Sequence, residues 1–134
     1  MKYLYLLIIV TLLGACSANE SESESSTVNL DAREVSTIKI GNLEVMTEDL
    51  ERTYTWDDAM KACSVLGDGW RLPTKDELNL LYENKEKIGG FTSNVYWSSS
   101  VFDFNFAVAQ FFLNGGQNFN PKYSTYYVRA VRAF

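Results

Sequence analysis

The sequence predicts an α+β fold for residues 37–134, behind a leading segment of different character. Three observations carry this prediction. A short alternating run comes first. Two Thr-x-x-acid boxes, Thr55 with Asp58 and Thr74 with Glu77, then each open a stretch of helical apolar spacing. After Gly90 the chain turns to dense aromatic and β-branched residues broken by an Asn-Gly-Gly turn. A strand, two helices and then a run of strands is an α+β order.

Each element has its own local cause. Ile38 and Ile40 alternate with polar neighbours, a short strand signal, and Gly41-Asn42 turns the chain. Thr55 starts the first helix, on which Trp56, Ala59, Met60, Cys63 and Leu66 fall at helical spacing as one apolar stripe. Gly67 and Gly69 end it. Thr74 starts the second helix just after Pro73, and Leu78, Leu81 and Tyr82 supply its buried face. Asp57, Asp58, Asp76 and Glu77 crowd the first turns, where the helix dipole favours negative charge. Tyr96-Trp97-Ser98-Ser99-Ser100 is the next strand. Phe106 to Leu113 is apolar on both faces and is expected in the middle of a sheet. Asn114-Gly115-Gly116 is a hairpin turn, and Tyr126 to Phe134 is a last strand tied into the sheet.

The first sixteen residues have a different purpose. Lys2 precedes a run from Tyr3 to Leu13 that is apolar but for Thr11. Those eleven residues fall short of the about 20 that a membrane-spanning helix needs, and they fit the h-region of a secretory signal. Leu13-Gly14-Ala15-Cys16 then resembles the lipobox of bacterial lipoproteins, in which small residues fit the signal peptidase and the Cys16 thiol takes the lipid. The competing reading is an ordinary signal cut after Ala15 or Ala18. With lipid on Cys16, each buried CH₂ adds about 0.8 kcal/mol, and two or more chains make a stable anchor. The expected address is the bacterial cell envelope, on the outer membrane, with either face open. Residues 16–36, with five acids, one base and alternating Ser and Glu, have nothing to bury and read as a disordered, extended tether.

Composition excludes several functions. Residues 37–134 carry twelve acids and ten bases, so the clustered basic surface that nucleic acid requires is not expected. The chain has no histidine, which removes His-based acid/base chemistry, Ser–His and Cys–His pairs and most zinc sites. No cofactor is expected. With Cys16 assigned to lipid, Cys63 is the one remaining cysteine, and its helical stripe favours a buried free thiol over a reactive one.

The string Gly69-Trp70-Arg71-Leu72-Pro73-Thr74, followed by Glu77-Leu78, is the most distinctive in the chain. Together with Tyr96-Trp97-Ser98-Ser99 and the closing Tyr127-Val128-Arg129-Ala130-Val131-Arg132, it resembles the C-terminal domain of bacterial collagen-like adhesins, a domain of unknown function. The resemblance covers roughly residues 38–134 and implies a C-type-lectin-like fold, two helices packed on a small, mainly antiparallel sheet. Members of that family often pair a cysteine in the first helix with one in the final Val-Arg-x-Val-Arg strand; here Cys63 is kept and Ala130 stands at the second place. A lost bridge of that kind costs about 2 to 5 kcal/mol in a small secreted domain. Formylglycine-generating enzymes share the Arg-Leu-Pro-Thr helix start, but they work through paired cysteines near their C-terminal end, and nothing after Cys63 is a cysteine. The calcium-dependent sugar site of C-type lectins uses Glu-Pro-Asn or Gln-Pro-Asp and Trp-Asn-Asp strings. This chain has Trp97-Ser98-Ser99, and Asn120-Pro121 is a faint echo. Asp103 is the sole side-chain carboxylate after residue 90, too few for calcium, so no metal site is expected.

The remaining candidates are loop residues. Trp97, Phe106, Phe112 and Tyr127 lie on strands and are expected in the core. Phe102, Asp103, Phe104 and Asn105 precede the central strand, while Asn114, Gln117, Asn118, Asn120 and Tyr123 follow it. Rings and amides in loops suit sugars or protein surfaces. Arg71, between two apolar anchors, is expected to pair with an acid or cap carbonyls. Arg129 and Arg132 fall on opposite strand faces and cannot form one patch. That counts against the adhesion to sulfated polysaccharides associated with collagen-like members of the family. The expectation is a non-catalytic binding domain for a glycan or protein ligand in adhesion. A structural envelope subunit contacting a partner lipoprotein is the alternative, and a remnant enzyme the least favoured.

Overall fold

The computed structural model describes residues 34–134. The expected signal, the expected lipidation at Cys16 and the expected tether as far as Arg33 lie outside the described residues.

Two three-stranded antiparallel sheets replace the single sheet expected from the sequence. In the first, β1 (Thr37–Ile40) and β2 (Leu43–Met46) form a hairpin in which Thr37 faces Met46 and Ile40 faces Leu43. Gly41 makes the turn with φ +58, a value that suits glycine. β2 was not foreseen. It buries Leu43, Val45 and Met46 and pairs on its other side with β6 (Val131–Ala133). In the second sheet the order is β3 (Val95–Val101), β4 (Phe106–Phe111), β5 (Gln117–Pro121). β4 is central, as its two-faced apolar pattern predicts. It ends at Phe111, not Leu113, because the Gly115 N–H closes a turn on the Phe111 carbonyl at 2.7 Å and leaves Leu113 exposed.

The C-terminal segment joins the two sheets, and for that reason its regular strand is short. Tyr126 and Tyr127 make isolated bridges to Tyr54 and Tyr96, and Val131 bridges Arg71. Only Val131–Ala133 runs as a regular strand, less than the Tyr126–Phe134 expected.

Helix α1 (Trp56–Ser64) starts where Thr55 Oγ1 accepts the Asp58 N–H at 3.4 Å. Ala59 and Cys63 are buried and Trp56 is partly buried, but Met60 and Leu66 are exposed. The expected stripe is narrower: the helix has ended by Leu66, and Met60, though inside it, lies to the solvent side of buried Ala59 and Cys63. In α2 (Lys75–Glu83) both arms of the capping box form, Thr74 Oγ1 accepting from Glu77 N–H and Glu77 Oε1 from Thr74 N–H. Leu78 and Leu81 are fully buried, each worth about 1.5–3 kcal/mol of transfer free energy. A one-turn helix, α3 (Lys85–Ile88), follows unforeseen.

Two apolar clusters result. One gathers Ala59, Cys63, Trp70, Leu72, Trp97, Val128 and Ala130; the other gathers Val45, Leu78, Leu81, Tyr96, Phe112 and Val131. Trp97 and Phe112 are core residues, while Phe106 and Tyr127 are only partly buried. Arg129 is wholly buried and binds Asp49 through Nε at 2.8 Å and the Met46 and Gly89 carbonyls through Nη1 at 3.0 Å. Tyr96 donates its hydroxyl to the other Asp49 oxygen at 2.6 Å. Arg132, on the opposite face, pairs with Glu44 at 2.8 Å and lies over the Trp70 ring.

Candidate functional site

The turn from β3 to β4 is built by Asp103. Its Oδ1 accepts the N–H groups of Asn105 and Phe106, both at 2.8 Å, and the Phe102 N–H donates to the Phe106 carbonyl at 3.0 Å. These bonds fold the loop tightly and leave Phe104 at its tip, 90% exposed. The Lys122 N–H donates to the Asn105 carbonyl at 2.9 Å, which ties the end of β5 to this turn. A second turn, closed by the Ser124 N–H on the Pro121 carbonyl at 3.0 Å, presents Tyr123 at 82% exposure.

The start of α1 completes the site. The Trp56 N–H donates to the Lys122 carbonyl at 3.0 Å, and its indole Nε1 to the Ser98 carbonyl at 2.9 Å. Thr55 and Asp57 are thereby brought beside the aromatic turns. Together with Phe104, Asn105, Phe106, Pro121, Lys122 and Tyr123 they line an open groove of about 700 Å³.

Two almost unpacked rings give flat apolar faces, the Asn105 amide gives donors and an acceptor, and Asp57 and Lys122 bring opposite charges. Such a lining suits a neutral or mixed-charge ligand better than a polyanion. Lys122 Nζ lies 4.5 Å from the Trp56 ring centre, so part of its charge already rests on a ring.

The loop candidates do not converge on one place. Phe104, Asn105 and Tyr123 line the groove. Phe102 stacks on Phe119 instead, ring centres 4.0 Å apart, and Asp103 is occupied by its turn. Asn114 lies beyond the far end of β4 and Gln117 opposite Gln110 near that end, and the strand's six residues at ~3.4 Å separate the two turns by roughly 17 Å. There Asn114 Oδ1 accepts the Gly116 N–H, and Gln117 Nε2 donates to the Lys75 carbonyl at 2.7 Å, joining β5 to α2. Asn118 and Asn120 sit opposite Ala109 and Ala107 along β5, the first exposed and the second partly buried. From the sequence, Asp57 is explained by capping and the helix dipole. No local signal could have placed it here, since, Thr55 apart, its neighbours in the groove lie more than forty positions away in the chain and are brought to it by tertiary hydrogen bonds.

The groups that might carry chemistry are otherwise engaged. Burial pushes the Cys63 thiol up to about 12. Ser98 Oγ donates to the Val108 carbonyl at 2.6 Å. Arg71 holds Glu77 through both guanidinium nitrogens, at 2.7 and 2.9 Å, and also donates to the Leu72 carbonyl, the structural use expected of it. Among the described residues, no group of three or more His, Cys, Asp or Glu side chains is placed to hold a metal ion.

A family model described as the Lcl C-terminal domain matches residues 22–132. Among solved structures, botrocetin is similar at 13% identity and a TM-score of 0.57, over 73% of this chain and 96% of that one. Botrocetin in complex with a mutant von Willebrand factor A1 domain is similar at 13% identity and a TM-score of 0.53, with the same coverage. At that identity the likeness establishes the fold, which is C-type-lectin-like. No curated protein matches the chain in sequence.

Proposed function

We propose that this chain, which belongs to the Lcl C-terminal domain family, is a non-catalytic binding protein of the bacterial envelope, anchored by lipid on Cys16 and recognising a glycan or protein ligand in adhesion. The observation that carries the reading is the groove at the β3–β4 turn. Phe104 and Tyr123 are large rings held in the open by well-bonded turns, where the core gains nothing from them. A ring kept exposed at such a place is available for stacking against a sugar face or a partner's apolar side chain. The absence of histidine and the burial of Cys63 support a role without catalysis. The solved complex of botrocetin with a protein domain lends weight to a protein ligand as one option.

The test uses the full chain in detergent on a glycan array, with crosslinking to envelope proteins in parallel. A ligand retained by the wild type and lost with Phe104→Ala or Tyr123→Ala supports the reading. No binding above background in either arm counts against it. For the anchor, an alkyne-tagged fatty acid should label the wild type and not Cys16→Ala, and protease treatment of intact cells then reports the membrane face.

A further inference from the structure

Among the described residues β5 forms one edge of its sheet, and its hydrogen-bond parity fixes which groups face outward. The Phe111 N–H donates to the Gly116 carbonyl at 2.8 Å, and the Lys122 N–H to the Asn105 carbonyl at 2.9 Å. Bonded pairs alternate along an antiparallel ladder, so Ala109 with Asn118 and Ala107 with Asn120 are the pairs that exchange bonds. Gln117 and Phe119 therefore turn their N–H and carbonyl groups away from β4. So does the carbonyl of Pro121. An open edge of this kind is a template for another strand.

The character of the edge selects the occupant. From Asn114 to Pro121 there is no charged residue, in a chain of net charge −5. A charged partner strand would find no counter-charge there, whereas a second copy meets no repulsion along the contact. The pattern Gln117-Asn118-Phe119-Asn120-Pro121 is also self-complementary. About a two-fold axis at Phe119, each Phe119 exchanges N–H and carbonyl with its counterpart. Each Gln117 N–H then faces a Pro121 carbonyl, which keeps a lone pair beside its bond from Ser124. Pro121 has no N–H and stops the ladder there. Phe119 and Phe102 are both 57% exposed and stacked at 4.0 Å. The two-fold register sets the two Phe119 rings side by side on one face, making a row of four rings that leaves water.

We infer that β5 is a self-association edge, through which two copies of the chain join their β3–β4–β5 sheets antiparallel about Phe119. A five-residue edge covers less than the roughly 1,000 Å² of a stable interface, so the dimer depends on concentration. The full chain in detergent, with one chain or fewer per micelle at the lowest concentration, is followed by sedimentation and amide hydrogen exchange. With rising concentration the mass should double, and the Gln117 and Phe119 amides should slow at least tenfold, while Asn118 and Asn120, already bonded to β4, change little. Phe119→Lys, at an exposed position, should stay monomeric with unchanged circular dichroism, and Phe119→Pro, which removes the outward N–H together with the ring, should likewise fail to pair. A monomer at every concentration overturns the inference. So does a dimer that survives Phe119→Lys, or protection of Gln117 and Phe119 already present in the monomer.

Discussion

Cys63 lies in an apolar pocket with Ala59, Trp97 and Ala130, fully out of solvent. Burial penalises its thiolate and lifts the pKa to about 12, so at neutral pH the reactive form is scarce and unreachable. A disulfide reagent should therefore leave Cys63 of the native chain unlabelled at pH 8 and modify it with the kinetics of unfolding as denaturant is added; prompt native labelling of Cys63 would contradict this. Ala130 shares that cluster, so packing fills the place where the family resemblance puts a second cysteine. Glu77 gives a second prediction at this scale. The hydrogen bond from Arg71 holds its carboxyl below the ordinary 4.5, against the opposing effect of burial. The folded state thus binds this proton less readily than the unfolded state. The stabilisation is complete above pH 4.5 and is lost as pH falls through the lower folded value. Glu77→Gln should lower stability at pH 7 by about 1 kcal/mol, discounted because the pair is partly exposed. It should also flatten the acid limb of a melting-temperature profile below pH 4.5.

Turns and caps decide the elements, and they account for what could be read in advance. Both helix starts were legible because capping is local: Thr55 with Asp58 and Thr74 with Glu77 are three residues apart. The central β4 was legible because burial on both faces leaves a continuous apolar run. β5 was not, since Gln117-Asn118-Phe119-Asn120 is an edge with little to bury, and its polar residues read as loop. β2 was hidden behind Gly41-Asn42, and β6 was read too long because Tyr126 and Tyr127 serve a junction between sheets. Gly90 marks another junction that sequence spacing does not disclose. It takes φ +75, and a Cβ there would meet the Thr47 carbonyl oxygen at 2.4 Å and Arg129 Nη2 at 3.1 Å. Gly90→Ala should thus destabilise by about 1–3 kcal/mol through backbone strain and displacement of the buried arginine, as read in chemical denaturation. Gly67→Ala, at φ +71 with open space around it, should cost less.

Across the whole molecule, the groove joins three segments far apart in sequence: the start of α1, the β3–β4 turn and the loop after β5. Half of this was visible beforehand, because exposed rings and amides in loops are a local signal. Asp57, Thr55 and Lys122 were not, because tertiary hydrogen bonds bring them together. The lipid anchor proposed at Cys16 would hold such a binding surface at the envelope. In that account the two rings serve recognition and leave stability alone. The direct measurement is the double variant Phe104→Ala with Tyr123→Ala in the full chain, compared with wild type for ligand affinity and melting temperature together. Affinity should fall at least tenfold, about 1.4 kcal/mol, while the melting temperature stays unchanged. Undiminished binding, or a loss that appears only alongside a lowered melting temperature, would contradict the assignment of the groove.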